Sequence, residues 1–272
     1  MPPPATPLPA AAPPAPTPPL VPLCPLAPPA PLVITRGDVR TLEFMAGNVQ
    51  SEMRLSAPDR LMLAYCRAIM GFALFVPRPR HIVMVGLGGG SLAKFCYRYL
   101  PGARISVIEL RADVIALRDQ FCVPPDDARF AVIEADAALW LRSAPDCADV
   151  LIVDGFDESG LPPALASARF YGDCRRSLRD GGVLVANIFS YDPAYPAMLE
   201  RLRLMFDNRV SWLDRVAGNN RILFALKASA TATPDSAFGL RMQHWMARRY
   251  GVGAGWINRL LLRMLLLWLT NR

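Results

Sequence analysis

Two acidic residues and a glycine-rich run are the parts of this sequence best suited to chemistry. Asp154 and Asp157 follow the apolar run ADVLIVD and lie three residues apart. Paired carboxylates favour a cationic partner, and one of them can accept its proton. Aspartates that only cap a turn are the alternative. The pair predicts a site for a basic small molecule, with Asp154 and Asp157 as the catalytic candidates.

The glycine-rich run lies between a strand-like and a helix-like segment, in HIVMVGLGGGSLAKF. Glycine permits a sharp turn and lets the backbone approach a ligand, because no Cβ stands in the way. Gly86, Gly88 and Gly90 are therefore candidates for cofactor binding. A tight turn without a ligand is the alternative.

Two further acidic positions follow the next predicted strands. Glu109 lies nineteen residues after Gly90, a spacing at which a carboxylate accepts hydrogen bonds from ribose hydroxyls. Asp136 and Ala137 are placed to meet an adenine edge, although Asp136 could equally be a helix N-cap. Because parallel strands place their ligands at one crevice, we expect an adenine nucleoside there. S-adenosylmethionine or its decarboxylated form is the expected co-substrate, and NAD is the alternative.

Short apolar runs alternate with helix-like segments through the middle of the chain, which indicates parallel strands covered by helices on both faces. The predicted strands are His81–Val85, Arg104–Ile108, Phe130–Ile133, Val150–Val153 and Val183–Asn187. The predicted helices are Leu92–Tyr99, Ala112–Phe121, Ala137–Ser143, Ala164–Leu178 and Pro196–Phe206.

The last two predicted strands break this rhythm. Val210–Val216 and Arg221–Leu226 are separated by four residues, too few for a crossover helix, so they must form an antiparallel hairpin. Parallel strands closed by a hairpin are typical of the methyltransferase-type, Rossmann-like α/β fold. An ordinary NAD-binding domain would continue with parallel crossovers.

Composition divides the chain into four parts. Residues 1–35 hold fifteen prolines and no charge, which predicts a disordered Pro/Ala-rich leader. Residues 36–80 are predicted to form a small element with strands in Val39–Met53 and a helix over Asp59–Phe75. Residues 81–228 are predicted to form the nucleoside-binding α/β domain, and residues 229–272 a basic amphipathic tail.

The charges and the metal-binding residue types exclude several functions. Arg36 to Asp235 carries 24 basic and 23 acidic residues, so this domain lacks the basic excess of a nucleic-acid-binding protein. Six scattered cysteines and two histidines offer no metal-ligand or disulfide spacing. We therefore expect no nucleic-acid partner, no metal and a reducing, cytoplasmic location.

The tail carries its own charge pattern. Six arginines and no acid occur in residues 236–272, and Trp256–Leu269 reads WINRLLLRMLLLWL. Arg259 and Arg263 lie one helical turn apart, which makes the segment amphipathic. A terminal helix docked on its own domain or on a homodimer partner is the favoured interpretation. Peripheral contact with a membrane is the alternative.

The motifs together resemble the spermidine synthase family, the polyamine aminopropyltransferases. The matching pieces are residues 47–50, GLGGGS, VIEL, EADA, VDGFDESGLPP, FYGDCRRSLRDGGVLVANIF and NNRILFALK. The resemblance implies transfer of an aminopropyl group from decarboxylated S-adenosylmethionine to a small-molecule diamine or related amine. It also implies that Asp154 accepts the proton, that Asp157 anchors the amine, and that Gln50 and Glu109 hold the nucleoside.

Two positions depart from the pattern that the resemblance leads us to expect. Ser91 stands where the family has an aspartate that grips the donor's amine. Arg67, in Tyr65-Cys66-Arg67, stands where a carboxylate would hold a polyamine. Two alternatives therefore remain, a methyltransferase that uses S-adenosylmethionine and a nucleoside-binding protein without catalytic activity.

Overall fold

The structure, a computed structural model, describes residues 29–155, 161–189, 191–213, 219–228 and 255–271. These residues form two sheets, one of three antiparallel strands and one of seven mostly parallel strands. The described helices cover both faces of the larger sheet.

The small sheet consists of β1 (Leu32–Arg36), β2 (Val39–Glu43) and β3 (Val49–Arg54), paired in that order. The predicted β2–β3 pair is confirmed, and Gly47 turns between the two strands with φ +84°. The predicted boundary of the leader at residue 35 is wrong, because β1 begins at Leu32. The stretch after the last proline, LVITR, is rich in β-branched residues, which favour a strand. Residues 1–28 lie outside the described part.

The helix predicted over Asp59–Phe75 is shorter in the structure. Helix α1 spans Ala64–Ile69 and continues as a 3₁₀ helix, Met70–Leu74. The residues before it form turns, and their carbonyl groups accept hydrogen bonds from a side chain instead of from a helix backbone. Nη1 of Arg67 donates to the carbonyl oxygens of Leu61 and Met62, over 2.8 and 2.6 Å.

The large sheet has the predicted parallel strands at its centre and one edge. They are β4 (His81–Val85), β5 (Arg104–Glu109), β6 (Phe130–Glu134), β7 (Ala148–Val153) and β8 (Leu178–Phe189). Their order in the sheet is β6-β5-β4-β7-β8. All five residues of β4 are buried, as expected for a strand covered on both faces. Strand β8 is longer than predicted, because it begins at Leu178 and continues through Gly181 and Gly182.

The helices between these strands match the predicted ones to within a few residues, with 3₁₀ turns at two places. They are α2 (Ser91–Tyr99), α3 (Ala112–Ile115), α4 (Ala137–Arg142), α5 (Ala168–Ser177) and α6 (Tyr195–Met205). The predicted helix Ala112–Phe121 is split, with a 3₁₀ helix over Arg118–Phe121, and a 3₁₀ helix over Pro163–Ala166 precedes α5.

The chain returns to the sheet as the predicted antiparallel hairpin, β9 (Val210–Trp212) and β10 (Asn220–Leu226). Strand β10 lies between β8 and β9 and is antiparallel to both. The sheet order is therefore β6-β5-β4-β7-β8-β10-β9. The predicted methyltransferase-type fold is confirmed.

A final helix, α7 (Gly255–Thr270), packs against the end of α1 and the 3₁₀ helix that follows it. Leu262, Leu265 and Leu269 are buried there and join the core under the small sheet. Its opposite face exposes four large apolar side chains, Leu260, Met264, Leu267 and Trp268. Among the helices of the described ranges, we find none that combines the length and the apolarity needed to cross a bilayer.

Candidate functional site

A cavity of about 360 Å³ opens at the carboxyl ends of the parallel strands and is bounded on one side by the small sheet. Open α/β sheets place their ligands at this edge. Most of the residues predicted from the sequence lie together in its wall. They are Gln50, Gly86, Gly88, Glu109, Asp136, Ala137 and Asp154.

The glycine turn forms the floor between β4 and α2. Gly86 has φ +96°, and a Cβ built on it would come within 2.5 Å of the Asp154 carbonyl oxygen, so the chain has no space for a side chain. Gly88 has φ +50° and lines the cavity, and a Cβ built on it would lie at an ordinary contact distance of 3.9 Å from Ser51 Cβ. Gly90 does not line the cavity. It begins α2 with φ +66°, and its missing Cβ leaves room for Val123.

Glu109 ends β5 with its carboxylate held by the backbone. Oε2 accepts a hydrogen bond from the Leu87 amide over 2.8 Å, and Oε1 accepts one from the Arg111 amide over 2.9 Å. Each carboxylate oxygen has a second lone pair for a ligand hydroxyl. The residue therefore fixes the glycine turn and presents an acceptor to the cavity.

Asp136 is the N-cap of α4, as the alternative interpretation expected. Its Oδ1 accepts hydrogen bonds from the amides of Ala138 and Leu139, over 2.7 and 3.2 Å. Both bonds fall on one oxygen, so the other retains its lone pairs for a ligand. Asp136 and Ala137 both line the cavity, and capping and ligand binding are compatible.

Asp154 follows β7 and lines the cavity. Nδ2 of Asn187 donates to its Oδ1 over 2.8 Å, and Tyr65, whose hydroxyl donates to the Gln50 carbonyl oxygen over 3.4 Å, is the second donor near the carboxylate. Burial raises the pKa of Asp154 to about 7, against the opposing effect of these two donors. A carboxylate with this pKa can take and release a proton near neutral pH.

Tyr65 and Cys66 of α1 line the cavity beside Asp154. Burial, and after it the negative charge of Asp154, raises the pKa of Tyr65 well above its usual value. The hydroxyl therefore remains a donor. Burial also raises the pKa of the Cys66 thiol, which disfavours a nucleophilic thiolate.

Comparison with known proteins identifies the family. A family model described as the spermine/spermidine synthase domain matches residues 62–193. A polyamine aminopropyltransferase of Chromobacterium violaceum is 36% identical over 226 residues, which cover 82% of this chain and 86% of that protein. The chain belongs to the spermine/spermidine synthase family.

A second relative agrees with this assignment, and two solved structures agree with the fold. A polyamine aminopropyltransferase of Neisseria meningitidis serogroup A is 38% identical over 195 residues, covering 71% of this chain and 74% of that protein. A probable spermidine synthase from Corynebacterium glutamicum superposes with a TM-score of 0.64 at 22% identity, covering 78% of this chain and 82% of that one. Human methyltransferase-like protein 13, solved with SAH, has a TM-score of 0.53 at 23% identity and covers 70% and 92%. These two likenesses establish the fold.

Within this family member, the expectation that Arg67 places a cation among the acceptor-binding residues is wrong. Arg67 is not among the residues that line the cavity. Its guanidinium is turned back toward the loop before α1, where it binds two carbonyl groups. The direction of a side chain around a short helix was not readable from the sequence.

Ser91 lines the cavity at the start of α2, and its hydroxyl lies 3.3 Å from that of Ser51 in β3. Ser51 is buried, with 5% of its surface exposed. This end of the cavity is therefore lined by two hydroxyl groups and the glycine turn. The expected departure from the spermine/spermidine synthase pattern is located here.

The second predicted catalytic residue, Asp157, lies outside the described residues. Across the described ranges, no cluster of three or more histidine, cysteine, aspartate or glutamate side chains is arranged to hold a metal ion.

Two asparagines that the sequence analysis did not single out also line the cavity. Asn187 ends the apolar part of β8, and Asn220 begins β10. Asn187 interrupts the run GGVLVANIF, and a polar residue near the carboxyl end of a buried strand was the signal available. Nδ2 of Asn220 donates a hydrogen bond to Oδ1 of Asn187. This contact depends on the register of β10 against β8, which the sequence does not reveal.

Proposed function

We propose that this protein transfers an aminopropyl group from decarboxylated S-adenosylmethionine to a diamine or a related amine. The observation that carries the proposal is the position of Asp154. Its carboxylate, with a pKa of about 7, faces the same cavity as the glycine turn and Glu109. A proton acceptor therefore stands beside a nucleoside-sized site. Membership of the family supports the choice of reaction.

The nucleoside is assigned to the part of the cavity between β4, β5 and α4. Glu109 would accept hydrogen bonds from the ribose hydroxyls, and its anchored carboxylate needs no rearrangement to do so. Asp136 and Ala137 would meet the adenine edge at the start of α4. Gly86 and Gly88 would let the backbone approach, and Gln50 would close the site from the small sheet.

The reaction assigned to the other part of the cavity is a displacement at carbon. A neutral amine attacks the carbon next to the sulfonium, a C–N bond forms and the C–S bond breaks. The electron pair of that bond goes to sulfur, which leaves as the neutral thioether methylthioadenosine. The amine must lose one proton, and Asp154 is the acceptor. Asp157 is proposed to anchor the amine.

Burial of Asp154 serves the proposed reaction through its effect on the pKa of the carboxyl group. A carboxylate with an ordinary pKa would be a poor acceptor for an ammonium proton near pH 7. Burial raises the pKa of Asp154 to about 7 and so brings it closer to that of the amine. The cavity walls also exclude water and hold amine and donor in line.

Methyl transfer from S-adenosylmethionine is the second candidate, and the Ser51–Ser91 pair favours it. A carboxylate at this end would select the single ammonium group of the decarboxylated donor. Two hydroxyl groups can donate as well as accept, so they also fit an intact methionine carboxylate. A nucleoside-binding protein without turnover is the third candidate.

Calorimetry separates the candidates at the level of binding. We expect methylthioadenosine and the decarboxylated donor to bind more tightly than S-adenosylmethionine if aminopropyl transfer is the reaction. The purified protein is then given each donor with a panel of amines, and products are identified by mass spectrometry. A methylated product, or tighter binding of S-adenosylmethionine, would transfer the assignment to the methyltransferase candidate.

Asp154→Asn is the matched variant for this assay. It should abolish turnover while nucleoside binding stays within a few-fold, because the ribose and adenine contacts are elsewhere. Turnover equal to that of the unchanged protein would remove Asp154 from the acceptor role. Loss of nucleoside binding with any donor would point to a distorted site.

We also propose a cytoplasmic protein whose helix α7 uses its outer face for association. Leu260, Met264, Leu267 and Trp268 are exposed there, beside exposed Arg263. A second copy of the chain is the favoured partner for this face, and the surface of an anionic membrane is the alternative. Co-sedimentation with phosphatidylglycerol vesicles and analytical ultracentrifugation distinguish the two. Leu267→Gln with Trp268→Gln should abolish whichever association is observed.

A further inference from the structure

Three polar side chains form a hydrogen-bonded row across neighbouring strands at the cavity. Nδ2 of Asn187 donates to Oδ1 of Asp154 over 2.8 Å, and Nδ2 of Asn220 donates to Oδ1 of Asn187 over 3.0 Å. Strand pairing produces the row, because parallel β7 and β8 set Val153 opposite Ala186 and antiparallel β10 continues beside β8. One residue further along β7 and β8, Asp154 meets Asn187. Asn220 is opposite Phe189, two residues further along β8, and reaches Asn187 diagonally.

The amide of Asn187 has only one favourable orientation in this row. An asparagine side chain carries an acceptor oxygen and a donor nitrogen at equal reach. Asn220 presents a donor to it, and Asp154 presents an acceptor. Reversal of the amide would set oxygen against carboxylate oxygen and nitrogen against nitrogen. The carboxylate of Asp154 therefore selects the orientation in which Asn187 donates to it, and the Asn220 amide supports that orientation by donating to the Asn187 oxygen.

We propose that Asn187 and Asn220 are positioning residues for Asp154, and this inference rests on the proposed proton-acceptor role. Asn187 holds Oδ1 of the carboxylate, so that Oδ2 is left to take the proton of the amine. Asn220 acts through Asn187 by fixing its amide.

Burial of the row strengthens its effect on the Asp154 carboxylate. Asn187 is 2% exposed, so water cannot replace its hydrogen bond to the carboxylate. A donor to the charged form of an acid stabilises that form, and Asn187 thereby lowers the pKa of Asp154 against the larger effect of burial. Without the row, the pKa of Asp154 would be higher, and a smaller fraction of the carboxylate would be ionised and able to accept a proton at neutral pH.

The titration of Asp154 tests the proposal directly and does not require activity. Protein labelled with ¹³C at the aspartate carboxyl carbon is titrated by NMR, and the Asp154 resonance is assigned by its loss in Asp154→Asn. We expect Asn187→Leu to raise the midpoint by at least about one pH unit, because a buried hydrogen bond to a charge is lost. Asn220→Ala should raise it by a smaller amount.

The double variant separates a row from two independent effects. When Asn187 is already leucine, Asn220→Ala should leave the midpoint where Asn187→Leu alone puts it, because Asn220 has lost the residue through which it acts. Asn48→Ala is the matched control, an asparagine in the same cavity wall but outside the row. It should leave the midpoint unchanged. Circular dichroism verifies that each variant is folded.

Three results would overturn the proposal. They are an unchanged midpoint in Asn187→Leu, a full additional shift from Asn220→Ala in the double variant, and an equal shift in Asn48→Ala. If Asn187→Leu does not fold, Asn187→Ser, which removes the amide with less change in polarity, takes its place. A protein that yields no transfer product while Asp154 titrates as described contradicts the proposed reaction instead, so the two failures are distinguishable.

Discussion

The backbone of Gly86 lies against the backbone of Asp154, so close that a Cβ on Gly86 would come within 2.5 Å of the Asp154 carbonyl oxygen. The Asp154 amide also donates to the Val85 carbonyl oxygen over 3.0 Å. The turn proposed to approach the nucleoside and the residue proposed to accept the proton are therefore held at a fixed separation. Neither can move without the other.

This contact predicts the effect of Gly86→Ala. The new methyl group would collide with the backbone, and a non-glycine residue at φ +96° is itself strained. We expect a loss of at least about 2 kcal/mol in the free energy of unfolding, together with a loss of turnover. Urea denaturation and the product assay measure the two effects. Wild-type stability in this variant would contradict the described packing.

Gly88 and Gly90 form a matched pair, because both have positive φ but only Gly88 faces the cavity. Gly88→Ala should weaken nucleoside binding about tenfold or more, at a cost of about 1 kcal/mol in stability. Gly90→Ala should lose more stability, because its Cβ would collide with Val123 Cγ2, and should retain binding in the folded fraction. The reverse assignment of effects would mean that the nucleoside contacts a different part of the turn.

Glu109→Ala should weaken nucleoside affinity by roughly 1–3 kcal/mol, through the loss of charged hydrogen bonds to the ribose. The carboxylate also accepts from the Leu87 and Arg111 amides, so a lower melting temperature should accompany the weaker binding. Calorimetry with methylthioadenosine gives the affinity. Unchanged affinity would place the ribose elsewhere.

The buried carboxyl of Asp154 makes stability depend on pH. Its pKa in the folded protein, about 7, lies above the usual 3.8. The folded state therefore favours the protonated form, and stability from this group falls as pH rises through the range between the two values. Asp154→Asn, which stays neutral, should gain on the order of 4 kcal/mol relative to wild type above pH 8 and less than about 1 kcal/mol near pH 4. Thermal unfolding at both pH values tests this, and an equal difference at both would contradict it.

A second buried group, Lys94, acts in the opposite direction. Its ammonium donates to the Phe121 carbonyl oxygen and to Met53 Sδ, and burial lowers its pKa from 10.5 to about 8. The folded state therefore favours the neutral amine, and stability is lost as pH falls below the unfolded value. Relative to wild type, Lys94→Met should gain about 2 kcal/mol between pH 9.5 and pH 7. Denaturation at both pH values provides the test, with the difference between variants as the measured quantity.

The sequence was sufficient for those parts of the site that depend on strand ends. Glu109 and Asp154 were predicted because each follows an apolar run, and parallel strands bring their carboxyl ends to one edge. Gly90 was grouped with Gly86 and Gly88 because spacing alone does not distinguish a glycine that faces a ligand from one that faces Val123.

The features that the sequence did not reveal depend on side-chain direction and on register between distant strands. Arg67 was expected among the acceptor-binding residues, yet its guanidinium binds carbonyl groups of the preceding loop. Asn187 and Asn220 were not singled out, because their contact requires the pairing of β8 with a strand that arrives later in the chain. Strand β1 was assigned to the leader because proline dominates the composition up to residue 31.

The hairpin strand β10 has a consequence for the order in which the protein can be completed. The parts assigned to the nucleoside lie between Gln50 and Ala137, whereas the amide that supports Asn187 belongs to Asn220. During synthesis, the residues assigned to the nucleoside therefore emerge before the strand that completes the support of the proton acceptor. The ability to transfer the aminopropyl group would then be acquired last, when the β9–β10 hairpin joins the sheet.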